Sequence, residues 1–342
     1  MKRLADFKSE LLKAFEKENT ERGPVEIPPA VSVEMGEALY NLSGEGLGRK
    51  ILLFEPLENI RKKLVKLLGF EVSRFKISKN SGIKTSEYRI FFKGLEAGQG
   101  RLDLSWYSHN ETDIPLTAFP EMMLKQENIS AAAIAAVSAL VSHVNAIVQR
   151  RAPELLGRDE VDAILEAAGE KYPVVCAEVR SLMPLGFIRE ILQNLVSEQV
   201  SIQPISVILE TLADWGHYGP APSELIIEQI RISLRRQICM DYAGEEMTLR
   251  VLTLSPDLEK KITDNSSGTP EAIEELICSA AGRMEEMGCP PVILCSPKVR
   301  FPLKESTRKK SPRLAVLSYI EIPSDIKVEP VGEISIKGSL NV

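Results

Sequence analysis

ILQNLVSEQVSIQPISVILETLADW, residues 191–215, is the stretch from which the rest of the chain is read. Ile188, Ile191, Leu192 and Leu195 fall on one helical face, and Ile205, Ile208, Leu209 and Leu212 on another. Apolar side chains at three- and four-residue spacing mark amphipathic helices that bury one stripe. Pro204 suits the first turn of the second helix, where its missing N–H costs nothing. The same period runs in both directions. Val161, Ile164, Leu165 and Ala168 form a stripe before it. After it, Ser223 stands where it would cap a helix carrying Ile226, Ile227, Ile230, Leu234 and Ile238, with Glu224 beside the positive end of the dipole. Residues 153–240 therefore read as an all-helical domain.

On either side the pattern becomes mixed. Toward the N-terminus, residues 31–42 and 50–54 read as extended, and 57–68 as a helix with Ile60, Leu64, Leu67 and Leu68 on one face and Gly69 as its stop. Residues 71–78 and 88–94 are strand-like, and 98–103 continue a hairpin. The span 105–128, broken by Asp113, Pro115 and Pro120, reads as a short insertion. ISAAAIAAVSALVSHVNAIV (129–148) has no formal charge and about the length needed to cross a bilayer. Its alanines supply little transfer free energy, and Ser138, Ser142, His143 and Asn145 are polar, so a helix in a soluble core is the better reading. Toward the C-terminus, residues 247–254, 292–295, 314–320 and 333–336 are strand candidates. Thr269 would cap a helix with Pro270 at its first position, a stripe from Ile273 to Met287 and Gly288 at its end. The expected architecture is mixed α+β and multidomain. It comprises an N-terminal helix and proline-rich linker (1–30), an α/β unit with the short insertion (31–152), a helical unit (153–240) and a C-terminal α/β unit (241–342).

The chain has 342 residues, 44% of them hydrophobic and 26% charged, with net charge −6. Nothing global draws it to nucleic acid or an anionic membrane. Five scattered cysteines fit reduced, buried thiols. Cys289 and Cys295 are spaced more widely than a zinc knuckle, and no histidine follows them. His109, His143 and His217 sit in unrelated contexts. GEGLGRK (44–50) matches neither a P-loop nor a dinucleotide fingerprint. KESTRKK (304–310) lacks the aromatic partners of an RNA-binding strand and reads as a solvated helix face or a subunit contact. No catalytic, cofactor or metal residue is assigned.

Six segments then form an ordered series: SEYRIFFKGLEAGQG (86–100), LLGRDEV (155–161), the opening stretch, IRISLRRQIC (230–239), GCPPVILCSPKVR (288–300) and LAVLSYIEIP (314–323). In order and spacing they resemble the FHIPEP family, the export-gate proteins of flagella and type III secretion systems. The resemblance covers about residues 31–337. It implies a cytoplasmic domain of four subdomains, a split α/β first one, a small insertion, a helical third and an α/β fourth, which assembles into a nonameric ring below a membrane channel. Implied partners are other export-apparatus proteins, export chaperones and secreted substrates, at the inner-membrane base. Two departures from the family's pattern are read: these residues hold no membrane domain, as expected either of a fragment that begins after the last span or of a free-standing soluble relative, and the insertion is shorter than the family's.

The resemblance implies that, as in flagellar members, the insertion and the adjoining first subdomain form an apolar cleft for export chaperones. TAFPEMM (117–123) places Phe119 loosely at the cleft aromatic, with Met122 and Met123 beside it; Phe119 reads equally well as a core anchor. Arg158, Glu210, Arg231, Arg235, Arg236 and Glu321 are the motif's polar residues and candidates for subunit contacts, against the alternative of a solvated helix face. Residues 155–158 and the basic stretch 300–310 are expected on such faces. The function expected is a docking platform rather than an enzyme; the alternative is a free-standing soluble relative acting as an adaptor or regulator.

Overall fold

The computed structural model describes residues 28–43, 50–102, 131–219, 221–264 and 269–335. Its first sheet forms from strands β1 (Val31–Met35), β2 (Lys76–Lys79), β3 (Glu87–Phe92) and β4 (Leu95–Arg101), in the order β2-β1-β3-β4. β1 runs parallel to β2 and antiparallel to β3, and β3 and β4 make the expected hairpin. Alternate residues of β1 (Val31, Val33, Met35) and β3 (Tyr88, Ile90, Phe92) are buried, as a sheet with one covered face requires.

That face is covered by helices α2 (Lys50–Leu68) and α3 (Ala131–Arg151), after the short α1 (Glu37–Ser43). Residues 50–54, expected to be extended, open α2 instead. An unbroken apolar run carries no period of its own, and Leu53 joins Leu57, Ile60, Leu64 and Leu68 on one buried stripe. The strand expected over 31–42 likewise stops at Met35, and residues 37–43 are helical. Gly36 makes the change of direction; a Cβ there would fall on the Lys84 carbonyl oxygen. The alanine-rich segment is α3, which buries Leu140, Val144, Ile147 and Val148 in the common core. Among the described residues no helix is long and apolar enough to cross a membrane. β4 approaches α3 closely at Gly98, where a Cβ would stand 2.7 Å from Ile147 Cδ1 and 2.9 Å from His143 Nε2.

The helical segment comprises α4 (Arg158–Lys171), α5 (Pro173–Leu182), α6 (Leu185–Ser197), α7 (Ile205–Gly216), α8 (Ser223–Ser233) and α9 (Arg235–Ala243). Its caps differ from expectation by one position. Pro204 and Pro222 occupy the N-cap positions, and the Ser223 hydroxyl donates to Glu190 at 2.8 Å rather than to its own helix. α4 is capped from within: Glu160 reaches back to the Gly157 amide at 2.9 Å.

A second sheet of β5 (Thr248–Leu254), β6 (Val292–Cys295), β7 (Ala315–Ser318) and β8 (Lys327–Ile334) is parallel throughout, in the order β7-β6-β5-β8. Helices α10 (Pro256–Asp264), α11 (Glu271–Glu286) and α12 (Pro297–Thr307) accompany it. Pro270, not Thr269, is the N-cap of α11. The run 314–320 is strand only through Ser318, and Tyr319–Glu321 form a 3-10 turn. The mixed α+β architecture is the one expected.

Candidate functional site

Two of the polar motif residues converge in the interior. α6, α8, α12 and the turn after β7 each send charged side chains into the junction between the helical segment and the parallel sheet. Arg300 of α12 is completely buried. Its Nη1 donates to Glu198 Oε2 at 2.6 Å, and its Nε donates to Glu228 Oε2 at 2.7 Å. Arg231 of α8 donates to the same Glu198 oxygen at 2.9 Å. Its Nη2 lies 2.7 Å from Glu321 Oε1, an ion pair rather than an aligned hydrogen bond. Glu321 is held in turn by the amide and hydroxyl of Ser318, at 2.6 and 2.8 Å. Lys304, one helical turn beyond Arg300, donates to the Leu314 carbonyl at 2.7 Å.

This arrangement corrects the expectation for Arg231 and Glu321. They are not available to a neighbouring subunit, because each is buried and paired within the chain. The expected faces at 155–158 and 300–310 are corrected in part for the same reason: Leu155, Leu156, Arg300 and Lys304 are buried. The electrostatics agree with a closed junction. Burial pushes the Glu198 carboxyl up, but Arg231 and Arg300 outweigh it and hold it at about 2. Burial lowers Lys304 to about 8, only partly offset by Glu198. Glu228 is raised by burial. Sequence reasoning missed Glu198 and underrated Arg300. A signal was present: Glu198 continues the Ile191–Leu195 stripe, and Arg231 sits four residues after Ile227, both at core-facing positions.

The remaining motif residues face solvent. Arg158 lies over Gly186, and Glu210 and Arg235 are exposed. Arg236 is exposed and pairs with Asp325 at 2.5 Å. Phe119, Met122, Met123, His109, the glycines at 44, 46 and 48, and the 105–128 insertion lie outside the described residues.

Two grooves open on the surface. One of about 370 Å³ runs along α4, with Ala163, Ile164 and Ala167 on one wall and Phe70, Ile202 and Ile205 on the other. A second, of about 290 Å³, lies between α2 and α3, with Leu64, Val148 and Tyr242 in its lining. Apolar grooves of this kind take amphipathic helices. In open parallel sheets, ligands bind beyond the carboxyl ends of the strands. At that edge Glu259 Oε1 accepts the Ser296 amide at 2.8 Å and the Tyr319 hydroxyl at 3.4 Å. His143 is engaged with Tyr88 at 2.9 Å and His217 with Glu178 at 2.6 Å. Burial raises the Cys239 thiol to about 12 and Cys295 further still, which keeps both protonated. Among the described residues no cluster of His, Cys, Asp and Glu is placed to hold a metal ion.

A helical block between a mixed sheet and a parallel sheet is also the fold of the cytosolic domains of type III secretion proteins. The Chlamydia pneumoniae CdsV chain, from a structure of the CdsV and CdsO complex, superposes with TM-score 0.71 at 20% identity, covering 92% of this chain and all of that one. The nonameric EscV cytosolic domain, seen by cryo-EM, superposes with TM-score 0.64 at 20% identity, covering 93% and 100%. Residues 8–327 match the FHIPEP family, and the chain belongs to it. It is 29% identical over 352 residues to the flagellar biosynthesis protein FlhA of Treponema pallidum, covering 94% of this chain and 50% of that protein. The chain spans about half the length of the curated relatives it matches.

Proposed function

We propose that this chain is the cytoplasmic platform of a flagellar or type III protein-export gate, located at the inner-membrane base, where it docks export chaperones and secreted substrates and assembles into a ring. The observation that carries this reading is family membership across residues 8–327. The apolar groove along α4 supports it physically, since an amphipathic helix buries its anchors in such a surface. The Cys239 and Cys295 thiols, kept protonated by burial, are in keeping with a binding role. Phe119, Met122 and Met123 are the proposed apolar contacts of the insertion. The exposed Arg158, Glu210, Arg235 and Arg236 are the proposed polar contacts between subunits. The nonameric EscV domain and the CdsV–CdsO complex are precedents in similar folds for the ring and for partner binding.

The test is to tether the purified chain at high density on a lipid surface, look for rings by electron microscopy, and titrate it with export chaperones. Rings and saturable chaperone binding are expected. A chain that stays dispersed and binds no chaperone overturns the reading.

A further inference from the structure

Beside the ionic junction lies a cavity of about 10 Å³. Arg231, Lys304 and Glu198 contribute charged groups to its lining, and Val200, Ala315 and Leu317 contribute apolar ones. Measured as room for a water's centre, about 10–15 Å³ is what one molecule needs. Purely apolar cavities stay dry, whereas buried polar groups with open hydrogen-bonding positions hold a water that satisfies them.

The open positions belong to three side chains. Arg231 is 2% exposed; its Nη1 is taken by Glu198 and its Nη2 by Glu321, but no protein acceptor reaches its buried Nε. Lys304 is as deeply buried. Its ammonium carries three N–H donors, and among the described residues only the Leu314 carbonyl accepts one. Glu198 Oε2 accepts from both arginines, whereas Oε1 accepts only from Arg300 Nη2, at 3.3 Å. Two cations thus have donors to spare, and one carboxylate oxygen has room for another donor. An ammonium in the core is costly, because burial removes the hydration that stabilises its charge. Burial nonetheless lowers Lys304 only to about 8, which leaves it charged at neutral pH.

We propose that one ordered water occupies this cavity as a fixed part of the junction, accepting from Arg231 Nε and Lys304 Nζ and donating to Glu198 Oε1. Water suits the site because it both accepts and donates. A halide would accept from the two cations but would face the Glu198 carboxylate in the same lining. Gln199, Asp241 and Tyr242 line both the cavity and the groove between α2 and α3, which gives water a route from the surface. The junction is then closed with its lysine hydrated inside the core, not merely surrounded by paired charges.

Two measurements on the whole chain test this. Crystals of the wild type are examined with and without a bromide soak, at a resolution that shows ordered water. A single peak is expected within about 3.2 Å of both Arg231 Nε and Lys304 Nζ, with no anomalous signal from bromide. No peak, or a bromide ion in its place, overturns the proposal. The second measurement asks what the water does. Val200→Ile adds a methylene to the apolar part of the lining, where it would displace the water. The change is expected to lower the urea midpoint more in the wild type than in Lys304→Met, which lacks one of the groups the water serves. Circular dichroism checks that each variant folds, and the wild-type crystal decides alone if one does not. An equal drop in both backgrounds is what overpacking by itself produces, and it too overturns the proposal. Neither result bears on the platform reading.

Discussion

Arg300 and Glu198 stand 102 residues apart in sequence and 2.6 Å apart in space, with both side chains removed from solvent. Between them they join the helical segment to the parallel sheet. Glu198 is the shared anion: Arg231 approaches the same oxygen from α8. Buried ion pairs stabilise little relative to a well-packed apolar replacement, but removing one partner strands the others.

Glu198→Gln keeps the shape of the side chain and removes its charge, leaving Arg231 and Arg300 facing each other. A loss of about 3–5 kcal/mol is expected from urea or guanidinium unfolding. The double change Glu198→Met with Arg300→Met is expected to recover part of that loss, because Arg300, one of the two cations left without Glu198, becomes an apolar contact, while Arg231 keeps Glu321. Equal losses in the single and double variants would show that packing, not charge, sets the cost.

Stability is expected to depend on pH at both ends. The folded pKa of Glu198 lies below its ordinary 4.5, at about 2. Its contribution is present in full above 4.5 and is lost as pH falls toward 2, amounting to about 3 kcal/mol. Lys304 behaves in the opposite sense: its folded pKa is lowered from 10.5 to about 8. Holding it charged in the core costs stability below pH 8, and that cost is relieved as pH rises from 8 toward 10.5. Lys304→Met is expected to abolish the alkaline gain relative to wild type, read as the urea midpoint across the range.

At Gly98 the sheet and α3 leave no space for a methyl group, with Ile147 Cδ1 at 2.7 Å and His143 Nε2 at 2.9 Å from where it would stand. Gly98→Ala is expected to cost about 1–3 kcal/mol by forcing β4 from α3. Gly282 has open space around its Cβ position and an ordinary helical backbone, so Gly282→Ala is expected to stabilise by about 0.5–1 kcal/mol. Thermal unfolding of the pair separates crowding from backbone entropy.

Ala167 is exposed on the wall of the α4 groove. Ala167→Arg is expected to leave stability within about 0.5 kcal/mol. It is also expected to abolish binding of a chaperone that docks a helix there, as measured by calorimetry. Unchanged affinity would move the docking site elsewhere on the platform.

Periodicity reveals most of the elements, because a stripe of Ile and Leu at helical spacing has one economical solution, to be buried. The helices around Ile191, Leu212 and Ile230 are legible for this reason, and so is the hairpin of β3 and β4. Where periodicity is silent, expectation and structure part. The ILLF run that opens α2 has no period, and the cap positions at Pro204, Pro222 and Pro270 depend on backbone angles at single residues. Ordered motifs marked Arg231 and Glu321 as more than ordinary surface residues, but not as partners. Whether a charged residue at a helical position meets water, a second copy or another buried charge depends on what packs opposite it. Only the folded chain brings Glu198, Arg231, Arg300 and Glu321 together from four separate elements, since no local spacing relates them. Local order along the chain thus settles which segments are helix or strand and which family they belong to. Three-dimensional packing settles which charges form the closed junction and which stay free to face a partner, because pairing is a matter of distance in space rather than along the sequence.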